Sequence, residues 1–282
     1  MRNVADLHIH TIASDGLHKP EEIVARASAM GLMALSITDH DTVDGLEIAM
    51  QESRNLNLEF IPGIELSTEY LNREIHILGY YIDYKDNALC SLLKTLQGSR
   101  YNRAEKMVHK LSSMGFCIDM PSVLRLSGEA APGRPHIARA LVEKGSMHSV
   151  KQVFDKLIGY QCPAYVERFK LTPQEAFQVI TNSGGIAVWA HPGLKNTEKL
   201  LELFLLSGLS GLEVYHPEHS WKEVRYLLSL AKEYNLCITG GSDYHGDGLG
   251  REIKMAACGI SKNDLAAFKK YYYEKAGSSY SY

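Results

Sequence analysis

The sequence has few cysteines, no long apolar run and little net charge, and each of these features excludes a class of protein. It has five cysteines in 282 residues and no Cys-x-x-Cys pair, so we expect reduced thiols and neither a disulfide framework nor a thiolate zinc cluster. No apolar run approaches the length of a membrane span, and no secretory signal is apparent. The net charge is only -3, which argues against a general basic surface for long DNA. A cytoplasmic protein without a membrane partner is predicted.

What the sequence does have is histidine and carboxylate residues near the ends of seven short apolar runs. The first run contains His8 and His10, and because alternate residues of a strand share a face, both imidazoles point the same way. Imidazole and carboxylate ligands without thiolate are typical of Zn, Mn or Fe at a hydrolytic site. The candidate metal ligands are His8, His10, Asp15, His40, Glu65, His76, His191, Asp243 and His245.

Nine ligands are too many for a single ion that keeps open positions, so we expect two or three divalent metal ions. Glu65 could bridge two of them. Sites of this kind suit in-line attack on a phosphate ester by a metal-bound hydroxide.

The order of the predicted elements indicates an α/β fold. Apolar runs alternate with amphipathic helical segments near both ends of the chain, which predicts parallel strands joined by crossover helices. Polar residues after so many strands favour a seven-stranded barrel over an open doubly wound sheet, whose ligands gather at one switch point. We predict a barrel domain of residues 1–82 and 161–282. Residues 83–160, which show only helical spacing, are predicted to form a small inserted helical domain covering the active face.

Together these motifs resemble those of the PHP (polymerase and histidinol phosphatase) family of metal-dependent phosphoesterases. The resemblance rests on Asp6-Leu7-His8-Ile9-His10-Thr11 with Asp15, Thr38-Asp39-His40-Asp41, Gly63-Ile64-Glu65, His76, Ala190-His191-Pro192 and Gly241-Ser242-Asp243-Tyr244-His245. It implies a phosphoric ester hydrolase with a distorted seven-stranded (β/α)7 barrel. It also implies an allocation of ligands to three ions: His8, His10, Glu65 and Asp243; Glu65, His76 and His191; and Asp15, His40 and His245.

Four further residues are candidates for substrate contacts. Arg134 and His136 lie beside a predicted helix start, where backbone N–H groups and a guanidinium can grip phosphate. His216 and His219 follow another apolar run. We assign catalytic roles to Arg134 and His216, and substrate binding to Arg134, His136 and His219. For Arg100 and Arg103 two interpretations are open, a position facing the cleft from the insertion and an exposed basic helix face, of which the second is favoured.

Within the family, the helical insertion and the stretches 132–139 and 211–219 are similar to those of phosphatases acting on nucleoside 3',5'-bisphosphates and of related 5'-3' exoribonucleases. The leading hypothesis is therefore hydrolysis of such a nucleotide to the 5'-monophosphate and phosphate. Three alternatives stay open: a 5'-3' exoribonuclease on short RNA, a histidinol phosphate phosphatase, and a non-catalytic metal-binding regulatory module. The expected partner is a small phosphorylated substrate or a short RNA, and the oligomeric state is not predicted.

Overall fold

The computed structural model describes residues 3–71, 73–167, 169, 171–193, 197–247 and 253–278. Its strands are β1 (Ala5–Asp6), β2 (Ala34–Leu35), β3 (Glu59–Phe60), β4 (Gly63–Tyr70), β5 (Arg73–Tyr80), β6 (Ile186–Trp189), β7 (Gly211–Tyr215) and β8 (Cys237–Gly240). Its helices are α1 (Pro20–Ala29), α2 (Leu46–Asn55), α3 (Asn87–Ser113), α4 (Met120–Ser127), α5 (Arg134–Glu143), α6 (Val150–Val153), α7 (Pro173–Asn182), α8 (Thr197–Leu206), α9 (Trp221–Glu233) and α10 (Lys262–Ser278), with a π-helical turn at Phe154–Ile158. None of these helices combines the length and the apolarity that crossing a bilayer would require.

The strands form two sheets. Short parallel strands pair in the order β1-β2-β3, and the second sheet has the order β4-β5-β6-β7-β8. Isolated bridges join the sheets, Ile9 with Tyr244 and His40 with Glu65. The predicted α/β class is confirmed. The prediction of seven parallel strands is wrong, because the described residues contain eight strands, β5 is antiparallel to both its neighbours, and no ladder closes them into a barrel.

Pro62 accounts for part of this difference. Proline cannot donate a hydrogen bond to a ladder, so the apolar run that contains Pro62 is divided into β3 and β4. At Gly63, the next residue, an added Cβ would lie 2.2 Å from Ser36 Oγ, which shows how closely β4 passes the segment after β2. β4 and β5 then pair along their whole length as a hairpin, an arrangement that alternation of strands and helices does not predict.

An apolar core packs the two sheets against the helices, and most of the candidate ligand residues lie in loops that follow the strands. Its largest part joins the sheets to the helices around them and includes the fully buried Ile64, Phe177 and Phe204. A second part lies under α10, where Phe268 packs against Tyr80. Burying one such side chain contributes about 1.5–3 kcal/mol to the stability of the fold. The loops that hold the site residues therefore begin from stably packed strands.

Helices α3 to α6 and the π-helical turn form a helical segment between β5 and α7. Residues such as Met107, Leu141 and Ile158 give it an apolar cluster of its own. The helical spacing predicted within residues 83–160 is confirmed by α3, which begins where Asp86 accepts a hydrogen bond from the Leu89 N–H at 2.8 Å. The division into a barrel domain and an inserted domain stays a prediction.

Candidate active site

Most of the candidate ligands lie in loops at one edge of the sheets. His8 and His10 follow β1, His40 follows β2, His191 follows β6, and both Asp243 and His245 follow β8. Glu65 and His76 are placed differently from the prediction, because they lie inside β4 and β5 and not after strand ends. The antiparallel hairpin brings both of them to the same edge as the loops.

Glu65 is the centre of the cluster. Its carboxylate is 1% exposed, and five imidazole nitrogens lie between 2.9 and 3.4 Å from it. Burial opposes the negative charge, but the surrounding histidines outweigh burial and hold the pKa of this carboxyl well below its usual range. The five histidines are His8, His10, His40, His76 and His191.

The candidate ligand atoms of His8, His10 and Asp243 have the spacing of a metal coordination shell. His8 Nε2 and His10 Nε2 are 3.2 Å apart, and each lies 3.2–3.4 Å from Glu65 Oε2 and from Asp243 Oδ1. A tetrahedral site with metal–ligand distances of about 2.1 Å has edges of about 3.4 Å. The set therefore fits a divalent ion.

Buried polar atoms without partners support the same conclusion. Among the described residues, His10 Nδ1, His40 Nδ1 and Glu65 Oε2 are buried and form no hydrogen bond. His40 Nδ1 and Glu65 Oε2 are 3.0 Å apart, but their orientation is not that of a hydrogen bond. Leaving such groups unpaired costs about 1–3 kcal/mol each, a cost that a bound cation would remove.

The candidate ligand atoms form three groups, and the atoms within each group lie within 4.8 Å of one another. They overlap the allocation that the family resemblance implies, although His10 belongs to two groups, His40 joins Glu65 and His76, and His191 belongs to none of the three. The identity and number of the ions stay predictions. The groups are His8, His10 and Asp243; His40, Glu65 and His76; and His10, Asp15, His40 and His245.

Buried carboxylates outside the predicted set hold the ligand loops in place. Asp6 accepts hydrogen bonds from the N–H and hydroxyl of Ser242, next to Asp243, at 2.9 and 2.6 Å. Asp39 accepts from the N–H and hydroxyl of Thr11 at 2.7 and 2.6 Å. Neither residue was singled out as functional in the sequence, although a carboxylate at the end of a buried strand requires such partners.

Glu213 is the most informative of these carboxylates. It is fully buried in β7, with Oε1 2.9 Å from His8 Nδ1 and Oε2 accepting the backbone N–H of His191 at 2.9 Å. A proton on His8 Nδ1 leaves the Nε2 lone pair facing the other ligand atoms. The sequence offered a signal for Glu213, since a charged residue in an apolar strand is rarely buried unless it is paired.

The other two histidines near the site, His216 and His219, are oriented in opposite ways. His216 Nδ1 accepts the N–H of Glu218 at 3.2 Å, so the proton of its neutral ring lies on Nε2, 3.6 Å from Asp243 Oδ2. His219 Nδ1 lies 2.9 Å from the Val214 carbonyl, which places its proton on Nδ1 and a lone pair on Nε2. Burial opposes protonation of His216, but Asp243 and Glu213 outweigh it and raise its pKa. His216 therefore has the tautomer of a proton donor and not of a ligand.

Beside these residues lies a cavity of about 360 Å³ whose wall is rich in arginine. Arg134 donates to Glu74 at 2.8 Å and its guanidinium lies 5.5 Å from the Phe154 ring. Arg100 donates through Nε to Asp41 at 2.8 Å. The interpretation of Arg100 and Arg103 as an exposed helix face is wrong, because both line this cavity, as do Arg134 and Arg139.

His136 and His219 do not line the cavity. His136 is 2% exposed, and its Nδ1 accepts the N–H of Gly133 at 3.0 Å, as a cap at the start of α5. Burial lowers the pKa of His136 to about 4, so its ring is neutral. It reaches only a small hollow next to Asp15 and His40. Its role as a substrate contact stays a prediction.

Comparison with known proteins gives a consistent result. The PHP domain model matches residues 6–178. The chain is 37% identical over 249 residues to the 5'-3' exoribonuclease Rnm of Escherichia coli, covering 86% of this chain and 85% of the relative. It is 32% identical over 256 residues to the 3',5'-nucleoside bisphosphate phosphatase of Chromobacterium violaceum, covering 89% and 90%. A solved structure from Bifidobacterium adolescentis, described as a metal-dependent phosphoesterase, is 28% identical with a TM-score of 0.87, covering 95% and 96% of the two chains.

Proposed function

The chain belongs to the PHP domain family of hydrolytic phosphoesterases, and from this premise we propose that its substrate is a small nucleotide. The proposed reaction converts a nucleoside 3',5'-bisphosphate to the nucleoside 5'-monophosphate and phosphate. The observation that carries the proposal is the placement of the ligand cluster and an arginine-rich wall around one cavity of about 360 Å³. That volume lies in the range of small-molecule sites, about 300–1,000 Å³.

We propose that the ligands predicted from the sequence hold two or three divalent ions, with Mn, Zn and Fe as candidates. Ions in such a site supply a hydroxide nucleophile and neutralise phosphate oxygens. The chain itself fixes the ligand orientation. Glu213 keeps the His8 Nε2 lone pair free, and Asp6 and Asp39 hold the loops of Asp243 and His10.

His216 is proposed to donate the proton to the leaving oxygen. Its Nε2 is buried without a hydrogen-bond partner in the described residues, and the hydrogen bond from the Glu218 N–H keeps the proton on that atom. The proposal is supported by the position of His216, which lines the cavity together with Glu65 and His191.

Arg134 is proposed to bind the substrate phosphate and to neutralise its non-bridging oxygens. A guanidinium can form two parallel hydrogen bonds with a phosphate, and Arg134 already donates to one oxygen of the Glu74 carboxylate at 2.8 Å. A substrate phosphate would therefore have to displace Glu74. We further propose that residues 83–160, which carry Arg134, form the domain that covers the active face.

The test is phosphate release by the Mn-loaded protein from adenosine 3',5'-bisphosphate, run beside AMP, histidinol phosphate and a short 5'-phosphorylated RNA. We expect a clear preference for the bisphosphate. Arg134→Ala should raise KM for the bisphosphate at least tenfold, and Arg134→Lys should restore part of this loss. Arg225→Ala, which removes an exposed arginine of α9, is the matched control. Absence of hydrolysis of any phosphoester by the metal-loaded protein would favour the regulatory module.

A second candidate is a 5'-3' exoribonuclease acting on short RNA. It is favoured by the 37% identity to the relative of that name. Release of mononucleotides from the RNA, with little phosphate from any monoester, would select this function. Both candidate functions use the same ligand cluster. They differ in the part of the substrate that binds outside the cavity.

A further inference from the structure

A groove runs from the cavity along one face of α3. Arg103 lines the cavity and also a neighbouring hollow of about 520 Å³ that contains Gly98 and Lys106. Lys106 and Val166 continue into a third hollow, of about 750 Å³, that contains Lys110. We call this continuous surface, from Arg103 through Lys106 to Lys110, the α3 groove.

The groove is basic along its length. Arg103, Lys106 and Lys110 lie within about 60° of one another around the helix axis, so they share one face of the helix. Lys94, Gly98 and Asn102 line the neighbouring hollow. Lys94 and Lys106 form no ion pair within the described part of the chain. Two carboxylates, Glu105 and Glu167, also lie at the groove, against the four cations that include Arg103.

Gly98 gives an independent indication of a ligand. It lies in the interior of a 27-residue helix, where glycine is less favourable than alanine. An added Cβ would meet no atom within 4 Å among the described residues, so packing does not require glycine at this position. Close approach of a bound chain to the helix backbone would require it.

Tyr165 places an aromatic ring beside the cations of the α3 groove. The Arg103 guanidinium lies 5.5 Å from the centre of the Tyr165 ring, and Lys110 Nζ donates to the Tyr165 carbonyl at 2.8 Å. Basic residues that follow a backbone together with aromatic rings that stack on bases are the usual means of binding single-stranded nucleic acid.

From these observations we propose that the α3 groove binds single-stranded RNA downstream of a 5' end held in the cavity. The proposal rests on the proposed function, in that the cavity hydrolyses a phosphate ester. Arg103 and Lys110 are separated by about 10 Å along the helix, the length of roughly three stacked nucleotides at about 3.4 Å each. The groove is therefore a site for the two to three nucleotides that follow the first.

The test uses the full-length protein and an eight-nucleotide, 5'-phosphorylated RNA with a 3' fluorophore. Binding is measured by fluorescence anisotropy in EDTA, so that no turnover occurs, and kcat/KM is measured on the Mn-loaded protein with the same RNA and with adenosine 3',5'-bisphosphate. The variants are Lys106→Ala with Lys110→Ala, and Gly98→Ala. The matched control is Lys222→Ala with Lys232→Ala, which removes two exposed lysines of α9.

We expect the Lys106/Lys110 variant to bind the RNA at least tenfold more weakly at 50 mM KCl and to hydrolyse it with a correspondingly lower kcat/KM. The slope of log affinity against log salt should fall by about 1.4, the value for two lost phosphate contacts on a single strand. Hydrolysis of the bisphosphate should stay within twofold of the wild type. Gly98→Ala should weaken RNA binding while raising Tm by about 2 °C.

Equal RNA binding by the Lys106/Lys110 variant and the control would overturn the proposal, as would equally tight binding of an eight-residue polyglutamate. If no phosphoester is hydrolysed but RNA binding responds as expected, the groove is supported and the proposed function fails. If the bisphosphate is hydrolysed and the RNA response is absent, the function stands and the groove is excluded.

Discussion

Replacing Glu213 by glutamine tests whether a residue that binds no metal itself controls the metal site. The side chain keeps its size, but one oxygen becomes an NH2 donor. In the wild type Glu213 serves two donors at once, His8 Nδ1 and the His191 N–H, both at 2.9 Å. Glutamine can accept from only one of them through its single oxygen.

The glutamine amide of Glu213→Gln can take two orientations, and the free energy lost is comparable in both. If the NH2 faces His8, Nδ1 must accept, and the ring proton moves to Nε2, the atom 3.2 Å from His10 Nε2 in the proposed coordination shell. If the NH2 faces His191, a buried N–H is left unpaired at a cost of about 1–3 kcal/mol. Changing the partner of a metal-ligating histidine typically lowers metal affinity about 10–100-fold, or about 1.4–2.8 kcal/mol.

The assay is a competition for Mn or Zn against a fluorescent chelator, with phosphate release as a second readout. We expect the Kd of Glu213→Gln to rise 10–100-fold, and activity to recover at high metal concentration. Glu202→Gln, an exposed position on α8, is the matched control and should leave the Kd unchanged. A Kd for Glu213→Gln within twofold of the wild type would refute the tautomer argument.

Three further predictions concern protonation and ligand loss. His191→Ala should lower kcat at least 100-fold with little change in Tm; full activity would contradict a role in metal binding. Burial opposes the positive charge on His10, but Asp243 and Glu65 outweigh burial and raise its pKa to about 10. Burial also opposes the charge on His76, but Glu65 outweighs it and raises the pKa of His76 to about 9. Burial likewise opposes charge on His8, but Glu213, Glu65 and Asp243 outweigh it and raise its pKa. Calorimetric metal titration at pH 7.5 in buffers of different ionisation enthalpy should thus show release of at least two protons, with metal affinity falling as pH falls. The pKa of His136 in the folded protein, about 4, lies below the unfolded value of about 6.5. This residue therefore lowers the free energy of unfolding by up to about 3 kcal/mol as the pH falls from about 6.5 to about 4. His136→Gln, which can keep the helix cap, should lose less unfolding free energy over this pH range, as measured by urea unfolding in EDTA.

The residues that meet in the cluster around Glu65 could be predicted from the sequence because the signal is local. His8 and His10 share a strand face whatever the rest of the chain does, and the carboxyl ends of parallel strands meet at one edge of a sheet. Helix α3 was equally accessible, since its apolar residues recur at helical spacing over seven turns.

The rest depended on packing between distant segments. No local pattern shows which face of α3 meets the cavity, so Arg100 and Arg103 were interpreted as exposed. The hairpin of β4 and β5 was missed because its apolar residues resemble those of a strand followed by a short loop. Glu213 needed the structure for a similar reason, since its partners are 22 and 205 positions away in the sequence.

The hairpin of β4 and β5 also sets limits on how the sequence can change. Its register pairs Glu65 with Leu78 and Ser67 with His76. Because side chains alternate between the faces of a strand, a one-residue deletion between Glu65 and His76 would turn one of them away from the other. A two-residue deletion would keep the face but shift the side chain by roughly 7 Å. Over evolutionary time we therefore expect the hairpin to accept substitutions but to keep its length. The loops between α3, α4 and α5 carry none of the proposed metal ligands, and divergence in chain length should accumulate there.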